Sequence, residues 1–216
     1  SQAKDKYKFS LSNDSTLVEF GSTEYSTITN WVSAGAMATD TWSNQNADDM
    51  NVLRAETSVG GLKISASTGV DAGSTTASSK PLAITLGGAL GGASYVIANE
   101  GSKMGISVSN PVGGATVTTA YSTAPTRTKA VVGGAAETDD VSSMNTSTGV
   151  KIAYPMGAVV ATASYVMESN GTCTAGAGLC VVGSDTWDVS AAWTSGDTKV
   201  TFATDEGSDN KIEGST

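Results

Sequence analysis

From Gly149 to Asp205 the sequence alternates apolar with polar or small residues, and that two-residue period constrains the fold more than any other feature of the chain. Val150, Ile152 and Tyr154 precede a turn at Pro155-Met156-Gly157, and Val159, Ala161, Ala163 and Tyr165 follow it. A second hairpin sets Trp187, Val189, Ala191 and Trp193 against Val200 and Phe202 across Ser195-Gly196-Asp197. The intervening positions hold Lys151, Thr162, Ser164, Asp188, Ser190, Lys199 and Thr201. Successive side chains of a strand point to opposite faces, so this pattern requires a sheet with one apolar and one wet face.

The same unit recurs upstream. Tyr7, Phe9 and Leu11 alternate toward an Asn13-Asp14 turn, and Thr16 to Phe20 returns. Asn51 to Ser58 turns at Gly60-Gly61 into Leu62 to Ser67. Pro81 to Leu86 passes Gly87-Gly88 and Gly91-Gly92 into Ala93 to Ala98, and Lys103 to Ser109 passes Asn110-Pro111 and Gly113-Gly114 into Ala115 to Ser122. Roughly twelve strands result, with the start of another at Asn210 to Glu213. Short Gly, Pro or Asn turns alternate with polar links at 21–50, 70–79, 123–148 and 167–185; Asn99 to Ser102 is a short exception. Alternate connections of an up-and-down meander lie at the same end, so short turns gather at one end and long loops at the other. The expected architecture is all-β, an antiparallel up-and-down transmembrane β-barrel forming a single domain over 1–216.

Composition bears on what surrounds that sheet. Of the 216 residues, 39% are hydrophobic and 6% aromatic, too few large side chains to fill the thick interior of a sandwich this long. Ala, Gly, Ser and Thr suit a sheet whose faces meet lipid and water. Tyr95, Tyr121, Tyr154, Tyr165, Trp187, Trp193 and Phe202 lie near strand ends, where a membrane girdle or an ordinary core would both place them. The net charge of −9 argues against nucleic acid, whose phosphates need clustered Lys and Arg. With no His, triads and Cys/His zinc sites are excluded, and the pairs Asp48-Asp49 and Asp139-Asp140 have no apolar setting to raise a pKa, so no enzyme activity is expected.

Lys8, Arg54, Lys63, Lys103, Lys151 and Lys199 fall on the polar faces of their strands, whereas acids concentrate in the links. Basic walls facing acidic loops describe a polarised cavity; a plainly solvated face would carry the same lysines. Asp40, Asn44, Asn46, Asp48 and Asp49 offer oxygen ligands for Ca²⁺ without the ordered spacing and Gly of an EF-hand, which also fits a solvated loop. Cys173 and Cys180 flank a Gly-rich octapeptide; a disulfide between them would imply an oxidising compartment, and two free thiols are the alternative.

Four segments carry a resemblance to the general porins of bacterial outer membranes, particularly the alphaproteobacterial type. They are Gly-Gly-Leu-Lys-Ile-Ser-Ala-Ser (60–67), Gly-Gly-Ala-Thr-Val-Thr-Thr-Ala-Tyr (113–121), Met-Gly-Ala-Val-Val-Ala-Thr-Ala-Ser-Tyr (156–165) and Thr-Trp-Asp-Val-Ser-Ala-Ala-Trp (186–193). Each resembles that family's turn-plus-strand unit. The resemblance implies a homotrimer of closed barrels in the outer-membrane bilayer, commonly sixteen-stranded, passing small polar solutes and ions by passive diffusion. It also implies one long loop folded inward, its acids facing basic wall residues. In this sequence Glu24, Asp40, Asp48 and Asp49 would be the loop acids, with Arg54, Lys63, Lys8 and Lys103 on the wall. The family's closing strands have no counterpart before Lys6 or at Thr216, so the sequence reads as lacking the ends of a barrel. A β-sandwich subunit of a surface layer or filament is the competing reading.

Overall fold

The computed structural model describes residues 7–43, 51–70, 81–128, 138–170, 184–206 and 211–215. Thirteen strands, β1 to β13, follow one another in a single sheet whose strand order is the chain order. Every pairing with a defined register is antiparallel. The chain divides into two compact units, Ser1–Trp31 with Thr41–Met104 and Val32–Asp40 with Gly105–Thr216.

The first unit contains β1 (Lys8–Ser12), β2 (Thr16–Gly21), the single-turn helix α1 (Ser26–Asn30), β3 (Val52–Val59), β4 (Leu62–Gly69), β5 (Ala83–Leu90) and β6 (Ala93–Glu100). The second holds all but the start of β7 (Lys103–Val112), then β8 (Ala115–Thr128), β9 (Thr138–Met156), β10 (Val159–Ser169), β11 (Thr186–Ser195), β12 (Thr198–Asp205) and β13 (Lys211–Ser215). Within each unit turns of two residues, or three between β1 and β2, alternate with longer connections, β6–β7 again excepted. Asn13 closes the first turn by accepting the Ser15 and Thr16 N–H groups on its side-chain oxygen, at 3.0 and 2.8 Å. At Gly60-Gly61 both residues have positive φ, 60° and 83°, as a two-residue hairpin loop twisted like its strands demands.

Several expected boundaries move. The link 123–148 is largely strand: β8 runs to Thr128 and β9 begins at Thr138, paired from Arg127 with Asp139 onward and interrupted by a bulge at Pro125/Thr126. Ser and Thr on both faces erase the alternation that marks a strand, while the β-branched threonines still favour extended backbone. The link 167–185 shortens to 170–185 because β10 continues to Ser169. Asn110-Pro111 lies in β7, and the turn expected at Pro155-Met156-Gly157 moves to Gly157-Ala158. Gly87-Gly88 is strand too, with Gly88 directly opposite Tyr95. A Cβ on Gly88 would stand 3.0 Å from the Tyr95 hydroxyl, so the glycine is there to seat a ring rather than to turn the chain. Cys173 and Cys180 lie outside the described residues, as do Asn44, Asn46, Asp48 and Asp49.

The two faces of the sheet are inverted relative to a water-soluble protein. Leu53, Ile97, Tyr121 and Trp187 are 41%, 40%, 44% and 42% exposed, and Ile84, Ile106, Ile152, Tyr165, Val189 and Phe202 share that condition. Ser65, Ser67, Thr85, Ser107, Thr118, Ser122 and Ser147, on the opposite face, are buried. The segment 22–43, here called the strap, lies on this polar face and bonds Ser67, Thr85, Ser107, Ser122 and Ser147. In the first unit Tyr25 of the strap joins Val52 and Ala83 in a small apolar cluster. In the second, Ala34 and Met37 of the strap are buried, as are Ala120 and Val166 of the strands.

Candidate functional site

In the first unit the strand registers align one row of side chains: Ser10, Glu19, Arg54, Ser67, Ala83 and Glu100 are directly opposed from β1 to β6. Cross-strand neighbours share a face, so this row presents two hydroxyls, three charges and one alanine to the same side of the sheet. Glu19 receives Lys8 Nζ at 3.0 Å, Arg54 Nη2 at 2.5 Å and the Thr23 hydroxyl at 2.7 Å. Arg54 also donates to the Thr29 hydroxyl through Nη1. The strap then runs along the row. Its Ser26 N–H donates to Ser67 Oγ (2.7 Å), its Ser26 hydroxyl to the Ala83 carbonyl (2.9 Å) and its Thr27 hydroxyl to Glu100 Oε2 (2.8 Å). Glu100 Oε1 accepts both the N–H and the hydroxyl of Ser43, at 2.9 and 2.8 Å. Lys103 Nζ stands 3.8 Å from Glu100 and donates to the Thr41 carbonyl at 2.5 Å. Trp31 and Trp42 meet edge to face with centroids 5.4 Å apart. Arg54 Nε, Trp42 Nε1 and Ser65 Oγ are buried polar atoms without a protein partner among the described residues.

In the second unit the strap's Val32–Asp40 is held differently. Ser107 donates its hydroxyl to the Val32 carbonyl and Lys151 its ammonium to the Ser33 carbonyl, each at 2.6 Å. Ser122, Ser147 and Glu168 form another directly opposed row on β8, β9 and β10. Thr39, 2% exposed, sits on that row. Its hydroxyl is 2.6 Å from Ser122 Oγ and 2.8 Å from Ser147 Oγ, and its N–H donates to Ser147 Oγ at 3.1 Å. Ser147 donates onward to Glu168 (2.6 Å), whose other oxygen accepts the Ala38 N–H (2.9 Å). Gly149 on β9 lies under Ala34: a Cβ there would stand 2.7 Å from the Ala34 carbonyl oxygen.

Of the candidate pore residues, all but Asp48 and Asp49 lie among the described residues. Arg54, Lys8 and Lys103 belong to the first unit's row and its strap contacts, and Lys151 holds the strap in the second unit. Lys63 lies on the same face but pairs with Glu56 at 3.0 Å, beside the Gly60-Gly61 turn. Lys199 is exposed on β12, opposite Thr194. Glu24 and Asp40 are half-buried in the strap. Arg54 and Lys8 meet the Glu19 carboxylate, Arg54 also reaches the Thr29 hydroxyl, and Lys103 and Lys151 reach strap carbonyls. Among the described residues no group of three or more His, Cys, Asp or Glu side chains is placed to hold a metal.

Sequence reasoning passed over Glu19, Glu100, Glu168, Thr39 and Gly149. Two of these had a readable signal. Glu19 interrupts the run Leu17-Val18-Glu19-Phe20 on the face that a hairpin register assigns to Ser10, and Gly149 is a lone glycine inside a strand pattern, a mark of close backbone approach.

No protein-family model matches the sequence, and no curated protein matches it. Solved structures do. A triple mutant of the Rhodopseudomonas blastica porin superposes with TM-score 0.60 at 12% identity, covering 95% of this chain and 73% of that one. A multiple mutant of the same porin gives TM-score 0.61 at 13% identity over the same shares. The fold is porin-like. The strap lies on the hydroxylated face of this porin-like sheet, and the large apolar residues are exposed on the other.

Proposed function

We propose that this chain forms a water-filled channel of a bacterial outer membrane, through which small polar solutes and ions diffuse passively, and that it works as a homotrimer in the bilayer. One observation carries the reading: the strands present their large apolar residues outward while a polar strap rests on their hydroxylated inner face. Such a sheet has a face for lipid and a face for water. Solutes passing the strap meet charges of both signs, Glu19, Arg54, Lys8, Glu100 and Lys103 in the first unit and Lys151 and Glu168 in the second. Fixed charges of opposite sign in a pore set ion preference and orient dipolar solutes. No chemical step is assigned.

The test is planar-bilayer recording on the protein refolded in detergent, with its gel mobility compared before and after boiling. Ohmic conductance from a heat-modifiable species supports the channel. A detergent-independent, non-conducting assembly in water overturns it and favours the surface-layer subunit.

A further inference from the structure

In the second unit the wall holds the strap through the hydroxyls of Ser107, Ser122 and Ser147, the Lys151 ammonium and the Glu168 carboxylate. Thr39 there bonds two wall side chains, Ser122 and Ser147. Its backbone N–H adds a third contact to the same row, and the neighbouring Ala38 N–H reaches Glu168, which also holds Ser147. All four wall and strap groups are tied into one hydroxyl–carboxylate network across β8, β9 and β10. The residue is 2% exposed, so a lost hydrogen bond at Thr39 is not readily replaced by bulk water. Five residues earlier along the strap, Ala34 is fully buried above Gly149, where any side chain would collide with the strap's backbone.

We infer that Thr39 and Gly149 are the positioning residues of the strap: a hydroxyl pin and a bare seat that together fix how far the segment 32–40 stands off the wall and so what size of solute passes beside it. The inference rests on the channel reading for its consequence, but the docking itself is independent of conduction. A threonine pin is geometrically demanding. Its hydroxyl must sit within hydrogen-bond reach of two serines that lie directly opposite one another, which leaves the strap a single height. In the first unit Ser26 is held as closely, by Ser67 Oγ and the Ala83 carbonyl, while Thr27 meets the longer Glu100 side chain.

The experiment compares Thr39→Val, Thr39→Ser and Gly149→Ala with the unaltered full chain, refolded in detergent and confirmed by heat-modifiable mobility. Two readouts are taken: amide hydrogen exchange at 32–40, and the largest sugar admitted in liposome swelling. Thr39→Val keeps the shape and removes the hydroxyl; losing two net hydrogen bonds should raise the undocked fraction, and hence exchange at the Ala38 and Thr39 amides, by roughly tenfold to a hundredfold. It should also admit larger sugars. Gly149→Ala should do the same by lifting Ala34, and Thr39→Ser should behave as the unaltered chain. Exchange and size limit both unchanged in Thr39→Val overturn the pin. Unchanged values in Gly149→Ala overturn the seat. If the unaltered protein fails to conduct, the channel reading falls, while the exchange comparison still decides the docking.

Discussion

The strap is fastened at two places by two chemistries. In the first unit it lies on a row containing Glu19, Arg54 and Glu100, and its hydroxyls are the lesser partners of buried charges. In the second it is pinned by hydroxyls to hydroxyls, with Glu168 and Lys151 at the margins. The difference lies in what happens when one partner is removed. A buried ion deprived of its counter-ion is strongly destabilising, whereas a hydroxyl pair deprived of one member loses a modest bond and leaves a small unpaired group. The first seat should therefore govern whether the strap region folds at all, and the second how finely it is placed.

Four substitutions would break or sharpen that contrast. The largest effect is expected of Arg54→Ala, which strands Glu19 with only the half-exposed Lys8 beside it: about 3–5 kcal/mol less stable in urea unfolding of lipid-reconstituted protein followed by tryptophan fluorescence. A loss below the cost of a single neutral hydrogen bond would mean that the pair is not buried in the folded protein. Glu100→Ala comes next, because one carboxylate accepts from Thr27 and twice from Ser43; about 2–3 kcal/mol should be lost in the same assay, with protease cutting appearing near Ser43. Ser147→Ala removes the hub of the second seat at a cost of about 1–2 kcal/mol, read as faster exchange of the Thr39 amide while the urea midpoint scarcely moves. Should Ser147→Ala cost more than Glu100→Ala, the ranking of the two seats is reversed. Lys63→Met is the control: its pair with Glu56 is on the same face but Lys63 is 43% exposed, so about 0–1 kcal/mol is expected and conductance should hold.

Much of the fold was legible because the period of two survives wherever one face meets apolar surroundings. Leu62-Lys-Ile-Ser-Ala-Ser and Thr186-Trp-Asp-Val-Ser-Ala-Ala-Trp announce both strand and facing in a single reading. Legibility failed where both faces are polar: the Ser/Thr-rich ends of β8 and β9 carry no alternation, and only pairing shows them to be strand. The site was half legible for a related reason. Alternation assigns Arg54, Lys103 and Lys151 to the inner face from sequence alone, but which group each meets depends on strand register and on the strap's path. Register puts Glu19 opposite Arg54 and Ser147 opposite Glu168, distances along the chain that no local pattern encodes. The strap offered little to read, since Ser26, Thr27, Thr39 and Ser43 look like ordinary loop residues until the wall is in place.

Alternation has a further consequence, in biosynthesis rather than in the folded state. A strand such as β4 places Leu62, Ile64 and Ala66 among Lys63, Ser65 and Ser67, so its apolar surface never accumulates along the chain. Averaged over the ~19 residues that a secretion channel samples for a membrane helix, such a segment falls short of retention. On the channel reading, the polypeptide is thus an ordinary polar chain before it folds, and only the hairpin registers sort its side chains onto two faces.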